Sequence, residues 1–204
     1  ACVLSVEPPH PPYEAPPELE RKWLARDLAL PRNFMAPGVY DPDVKAGWSA
    51  PRAAQQREEV LRRRKIYCAM VENLDQSIGR LMAWLARTGL AENTIVLFCS
   101  DHGELGGSHA LEEKQYPYEE SIGIPLLAWG PGAGVAAGRT VEDPVSTEDL
   151  FPTILGLAGL TPREKVLGAN LAPLMRGTAA AMLKRPGVML EFVAETRPGV
   201  VFYR

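Results

Sequence analysis

The 204-residue chain is 46% hydrophobic and 23% charged, the balance of a globular protein and not of a disordered one. Its formal net charge of −3 offers no sequence-independent attraction for nucleic acid. The longest apolar runs are only a few residues, too short to cross a bilayer as a helix. Cys2, Cys68 and Cys99 lack CxxC spacing and, being three, cannot all pair, which argues against a disulfide scaffold or a zinc ribbon.

The chain opens on Ala1-Cys2-Val3-Leu4-Ser5-Val6, which reads as a β-strand already under way, with no charged-then-apolar leader pattern. It stops on Val200-Val201-Phe202-Tyr203-Arg204, a second strand-like run. Both ends are expected to fall inside a longer protein. Residues 7–51 carry ten of the 19 prolines. Proline fixes φ and removes a backbone donor, so this stretch is expected to hold neither sheet interior nor a long helix. It is an active-site insertion or an interdomain linker. Trp23, Phe34, Tyr40 and Trp48 speak against the linker; they would either line a substrate mouth or pack the insertion down.

Residues 52–160 read as the helix and core strands. Tyr67, Met70, Val71, Leu74, Ile78, Leu81, Met82 and Leu85 recur at intervals of three and four, one face of a long helix over 52–88, with Gly89 as its cap. The run Arg62-Arg63-Arg64-Lys65, with Glu58 and Glu59 upstream, is expected to be a solvated face. Thr94-Ile95-Val96-Leu97-Phe98-Cys99 is continuously apolar and rich in β-branched residues, as in a strand buried on both faces of a parallel sheet. Cys99 is then a small core residue. A second strand is expected over 124–129. Thr147 is expected to N-cap a helix carrying Leu150, Ile154, Leu155 and Leu157, closed by Gly159. Residues 161–204 begin a further subdomain, with a helical turn at 171–175 and an antiparallel strand pair, 188–193 and 200–203, about Arg197-Pro198-Gly199. The whole predicts an α/β fold with a mainly parallel central sheet flanked by helices and antiparallel strands at the C-terminal end.

The three histidines, His10, His102 and His109, all lie in Pro- or Gly-rich loops beside expected strand ends. A carboxylate and an imidazole leaving a strand together, as in Asp101-His102-Gly103, can reach one divalent cation if the backbone turns sharply, which Gly103 permits. Oxygen plus nitrogen ligation suits Ca²⁺, Mg²⁺, Mn²⁺ or Zn²⁺, and two donors are too few for any of them. Residues 104–120 add His109, Lys114, Tyr116, Tyr118 and five glutamates. A lysine beside a dication makes a pair that favours a tetrahedral oxyanion; a solvated loop of mixed charge is the other reading.

The run Ser100-Asp101-His102-Gly103, Gly107-Ser108-His109, Lys114 and Pro117-Tyr118-Glu119-Glu120-Ser121-Ile122 to Pro125 resembles the C-terminal half of the sulfatase family, in the alkaline-phosphatase superfamily. Three further blocks agree in order: Pro8-Pro9-His10-Pro11-Pro12-Tyr13, the helix from Tyr67 to Gly89, and Val145-Ser146 through Asp149-Leu150, Pro152-Thr153 and Gly159. The style is that of the choline-sulfatase-like and phosphonate-monoester-hydrolase-like branches, and the fold implied is part of an alkaline-phosphatase-like sandwich. By this resemblance Asp101 and His102 are metal ligands, for Ca²⁺ first and Mg²⁺ or Mn²⁺ otherwise. Lys114 contacts the sulfate oxygens, His10 contacts the sulfate and the leaving-group side, and His109 touches substrate. Gly123 departs from the family pattern, which places an arginine there.

The family's nucleophile is a formylglycine made in a C/S-x-P/A-x-R motif. None of the three cysteines sits in one, so the resemblance implies a nucleophile upstream of this segment, together with the remaining metal ligands. The implied activity is hydrolysis of a small-molecule or saccharide sulfate ester, with this segment inactive alone. Hydrolysis of phosphonate monoesters or phosphodiesters, and a non-catalytic sulfatase-like module, are the rivals. Two-zinc phosphodiesterases share the Asp-His-Gly triplet but need further histidine ligands, and no histidine follows His109.

Overall fold

The computed structural model describes residues 1–34, 50–109, 111–114, 116–178, 183, 185–191 and 201–203. Tyr40, Trp48 and the turn at Arg197-Pro198-Gly199 lie outside them. The chain divides into two compact units, Ala1–Arg87 with His102–Gly123, and Thr88–Asp101 with Ile124–Arg204.

In the first unit a helix forms inside the proline-rich stretch. Helix α1, Pro17–Leu24, begins with a proline in its first turn, carries Glu18 and Glu20 there and has Arg21 and Lys22 in its last turn. That arrangement fixes the first φ and sets charge against the helix dipole at both ends. Composition alone hides such an element, because two turns fit between prolines. It packs on α2, Ala50–Arg87: Leu19 is buried, and Lys22 and Trp23 both donate to the Glu72 carboxylate, at 2.5 and 2.6 Å. Trp23 thus packs the stretch down onto α2.

Helix α2 is the element its periodicity predicts, with Gly89 at φ 73° just beyond it. Val60, Ile66, Ala69, Met70 and Leu85 are buried, whereas Val71, Leu81 and Trp84 stay more than a third exposed. The apolar face is therefore covered unevenly. The basic run is also more than a solvated face. Arg63 pairs with Glu59 and Glu112, Arg64 donates to the Gly106 carbonyl, and Lys65 to that of Leu24. Neighbouring segments supply acceptors that a charge pattern cannot reveal. A single turn, α3, Glu119–Ile122, ends this unit.

In the second unit β1, Val96–Cys99, pairs with β2, Leu126–Trp129, in antiparallel register, Val96 opposite Trp129 and Cys99 opposite Leu126. The expected parallel sheet is not among the described strands. Nor is β1 buried on both faces: Val96, Leu97 and Phe98 are half-buried and Cys99 is exposed. A continuous apolar run fixes neither how deeply the strand is buried nor which way its neighbour runs. Helix α4, Leu150–Leu157, follows a 3₁₀ turn, Thr147–Asp149. The cap of that turn is Ser146, not Thr147, in a reciprocal box with Asp149. Then come α5, Ala172–Met175, and the antiparallel pair β3, Met189–Glu191, and β4, Val201–Tyr203, as the sequence predicts. Ala1–Val6, in contrast, forms no strand; Val3 and Leu4 are 87% and 74% exposed. Among the described residues no helix is long and apolar enough to cross a membrane.

Candidate active site

The segment between the Asp-His-Gly triplet and Lys114 folds into a small closed loop. The Leu105 amide donates to the Glu113 carbonyl and the Gly107 amide to that of Leu111, both at 2.8 Å. Leu105 fills the interior. One oxygen of Glu104 accepts the Gly106 amide at 3.0 Å and the Glu113 amide at 2.7 Å. The loop's two ends thereby become His102-Gly103 and Lys114. Burial pushes the Glu104 carboxyl up, and Glu113 adds to this; the two amides and Lys114 oppose it without reversing it.

Tyr13 faces the same carboxylates. Its hydroxyl is pushed up to about 12, first by burial and then by Glu104, Glu112 and Glu113, and its ring meets Tyr67 edge-on at 6.4 Å. The segment that carries His10, three residues earlier, is thus brought to the acidic loop that ends in Lys114. His10 itself is exposed. Its backbone N–H reaches Glu7 O at 3.0 Å, and its Nδ1 lies 2.7 Å from the Pro11 carbonyl. A carbonyl only accepts, so Nδ1 is the donor in this contact, and in the neutral ring Nε2 is then the lone-pair nitrogen.

The same logic fixes His102. Its Nδ1 lies 2.8 Å from the Gly103 carbonyl, which leaves Nε2 as the lone-pair nitrogen, the usual disposition of a metal-ligating histidine. Asp101 is exposed, and its carboxylate takes a hydrogen bond from the Ser100 hydroxyl at 3.3 Å. Among the described residues no three His, Cys, Asp or Glu side chains gather into a metal-binding set. The consecutive donors Asp101 and His102 suit a divalent cation in kind and fall short of it in number. Gly103 is required for a reason other than a sharp turn. A Cβ there would lie 2.1 Å from the Glu120 carbonyl oxygen, and the Gly103 amide donates to Ser121 O at 2.7 Å.

His109 is held on every side. Its backbone is left-handed, φ 56°, a conformation that costs a non-glycine residue energy. Its ring stacks on Tyr118 with centroids 3.9 Å apart and planes 18° from parallel. Its amide donates to Asn33 O at 3.0 Å, and its Nε2 lies 3.0 Å from Asn33 Nδ2. The same Asn33 nitrogen donates to Glu120 Oε1 at 2.6 Å. Burial would raise the Glu120 carboxyl, but Asn33, its own amide and Ser108 hold it below the usual range. Asn33, Arg32, Arg64, Glu104, Ser108 and Glu120 border an open cleft of about 510 Å³.

The sequence reading singled out neither Asn33 nor Glu104. Asn33 is one polar residue in a proline-rich stretch, and Glu104 one of several glutamates; neither spacing carries a signal.

A closed acidic loop thus lies between the Asp-His-Gly triplet and Lys114. The family profile Sulfatase matches residues 2–160. An ulvan-active sulfatase of Formosa agariphila is 32% identical over 177 residues, covering 86% of this chain and 31% of that protein. A choline-sulfatase of Rhizobium meliloti is 36% identical over 141 residues, 68% of this chain and 26% of that protein. The crystal structure of a phosphonate monoester hydrolase of Agrobacterium radiobacter superposes with a TM-score of 0.57 at 33% identity, over 61% of this chain and 25% of that one. The chain belongs to the sulfatase family. It spans about a third or less of the length of these relatives.

Proposed function

We propose that the protein hydrolyses sulfate esters of saccharides or small alcohols in a metal-dependent reaction. Asp101 and His102 furnish two of the ligands of one divalent cation, Ca²⁺ ahead of Mg²⁺ or Mn²⁺. When bound, that cation would draw charge from the non-bridging sulfate oxygens. Lys114 adds a second positive charge for the same oxygens. His10 faces the bridging oxygen of the leaving alcohol, and only its doubly protonated form has an Nε2–H to give to it. The attacking formylglycine belongs to chain outside these 204 residues.

The observation that carries this reading is the closed loop 104–113, which ties the metal motif to Lys114 through the two amides on Glu104. The test is turnover of an aryl sulfate by the full-length protein, read as sulfate release with and without chelator. Turnover abolished by chelator is expected; a metal-replete protein that releases no sulfate from any aryl or saccharide sulfate overturns it. The likeness to a phosphonate monoester hydrolase favours one second reading, cleavage of phosphonate monoesters, which the same assay with a phenylphosphonate ester separates.

A further inference from the structure

We infer that Asn33 and His109 form a positioning clamp for the loop that joins His102 to Lys114, with His109 fixed as its Nδ1–H tautomer. The inference rests on the sulfatase reading for its kinetic consequence and on geometry alone for the tautomer. A carboxylate only accepts hydrogen bonds, so the group of the Asn33 amide that lies 2.6 Å from Glu120 must be its NH₂. That NH₂ has two hydrogens. One goes to Glu120 and the other faces His109 Nε2 at 3.0 Å. An N–H on Nε2 would point at another donor, so Nε2 is the acceptor and the proton sits on Nδ1. Among the described residues Nδ1 has no hydrogen-bond partner.

Three further observations make this a clamp and not a chance contact. The Asn33 carbonyl also takes the His109 amide, so one residue holds both main chain and ring. The left-handed backbone of His109 persists only where its surroundings enforce it. The Tyr118 stack and the Glu120 contact tie the same point to the turn that packs on Gly103. His109 is the tip of the loop, and fixing the tip fixes where its ends, His102 and Lys114, stand.

The test uses the full-length protein with ¹⁵N-labelled histidine. His109 should give the ring signature of the Nδ1–H tautomer, assigned by its disappearance in His109→Gln, and Asn33→Ala should abolish that signature. For aryl sulfate turnover, glutamine reproduces an acceptor near the Nε2 position, whereas asparagine offers a donor near Nδ1. His109→Gln should keep kcat within about threefold of wild type, and His109→Asn and Asn33→Ala should lower kcat about tenfold or more with little change in KM, as expected of a misplaced site. Asparagine tolerates a left-handed backbone better than glutamine does, so backbone preference works against this outcome. An Nε2–H tautomer in the wild type overturns the clamp. So does His109→Asn outperforming His109→Gln, which would place Nδ1–H on the substrate. A protein inactive on every sulfate ester would remove the sulfatase reading while the tautomer measurement still decides the geometry.

Discussion

The Glu113 amide donates to the Glu104 carboxylate at 2.7 Å, and the next residue is Lys114. One half-buried carboxylate therefore closes the loop and faces the cation that the loop delivers. Glu104→Ala leaves two backbone donors without that acceptor, and hydrogen bonds to charged groups contribute about 1.5–3 kcal/mol each. With partial exposure we expect a loss at the low end, about 3 kcal/mol for the two together, measured by denaturant unfolding. Glu104→Gln keeps an acceptor and should lose less stability while still changing turnover, because the charge opposite Lys114 is gone. Equal stability losses for the two variants would sink the assignment.

Lys114→Ala should lower kcat/KM on sulfate esters by at least ~10², the scale of one lost contact to a developing oxyanion. Lys114 is half-buried at the end of the loop, so unfolding should change little. Near-wild-type turnover by the variant removes Lys114 from the substrate.

Asp101→Ala should strip the bound cation from the full-length protein, and elemental analysis reads this directly. The physical reason is that a hard cation takes about 6–8 oxygen-rich ligands and loses affinity steeply with each one removed. Stoichiometric metal in the purified variant would mean that Asp101 is not a ligand.

The sequence showed α2 because a 3.6-residue period persists over many turns and ends at Gly89, and it showed the β3–β4 pair because its two apolar runs stand on either side of Pro198-Gly199 in the sequence. It hid α1, whose eight residues sit among prolines, and the antiparallel sense of β1 and β2, which depends on a partner distant in sequence. It placed Cys99 inside, where the structure leaves it exposed. The site divides the same way. His10, Asp101, His102, His109 and Lys114 stand out as motif residues, whereas Glu104 acts through the Gly106 and Glu113 amides and Asn33 through Glu120 and His109. Contacts of that kind leave no spacing to read.

Asp149 gives a prediction about stability and pH. It is fully buried, accepts the Ser146 and Ala169 amides at 2.8 and 2.7 Å, and pairs with Arg185, whose Nη1 reaches Oδ1 at 3.0 Å. Burial by itself would raise this carboxyl, but Arg185 and the two amides outweigh burial and hold it below the ordinary range. The native state therefore binds the proton less tightly than the unfolded chain. The stability this contributes is complete above the unfolded aspartate value of about 3.9 and is lost as the pH falls through the lower native one. Removing one partner of a buried pair costs about 3–5 kcal/mol; because Arg185 is 23% exposed, Asp149→Ala should fall near the low end. The stability gap between wild type and variant should be smaller in unfolding curves at pH 3 than at pH 7. A difference that grows on acidification would contradict the pairing.

Gly103→Ala tests whether the metal motif is set by close packing. The added Cβ would meet main chain and no yielding side chain: Glu120 O at 2.1 Å, and Glu120 C and Gly123 O at 3.0 Å. Something in the backbone must move, and the Gly103 amide's bond to Ser121 O is the first to strain. Overpacking of this kind costs about 1–3 kcal/mol, a modest fall in melting temperature that leaves α2 in place. The larger consequence is local. His102 precedes the displaced residue, so its ring would no longer stand where the cation needs it. We expect Gly103→Ala to lose most of its bound metal and its turnover while circular dichroism still reports the native helix content. Full metal occupancy in the variant, with an unchanged melting temperature, would mean that the turn has room for a side chain and that the packing on Glu120 does not govern the motif.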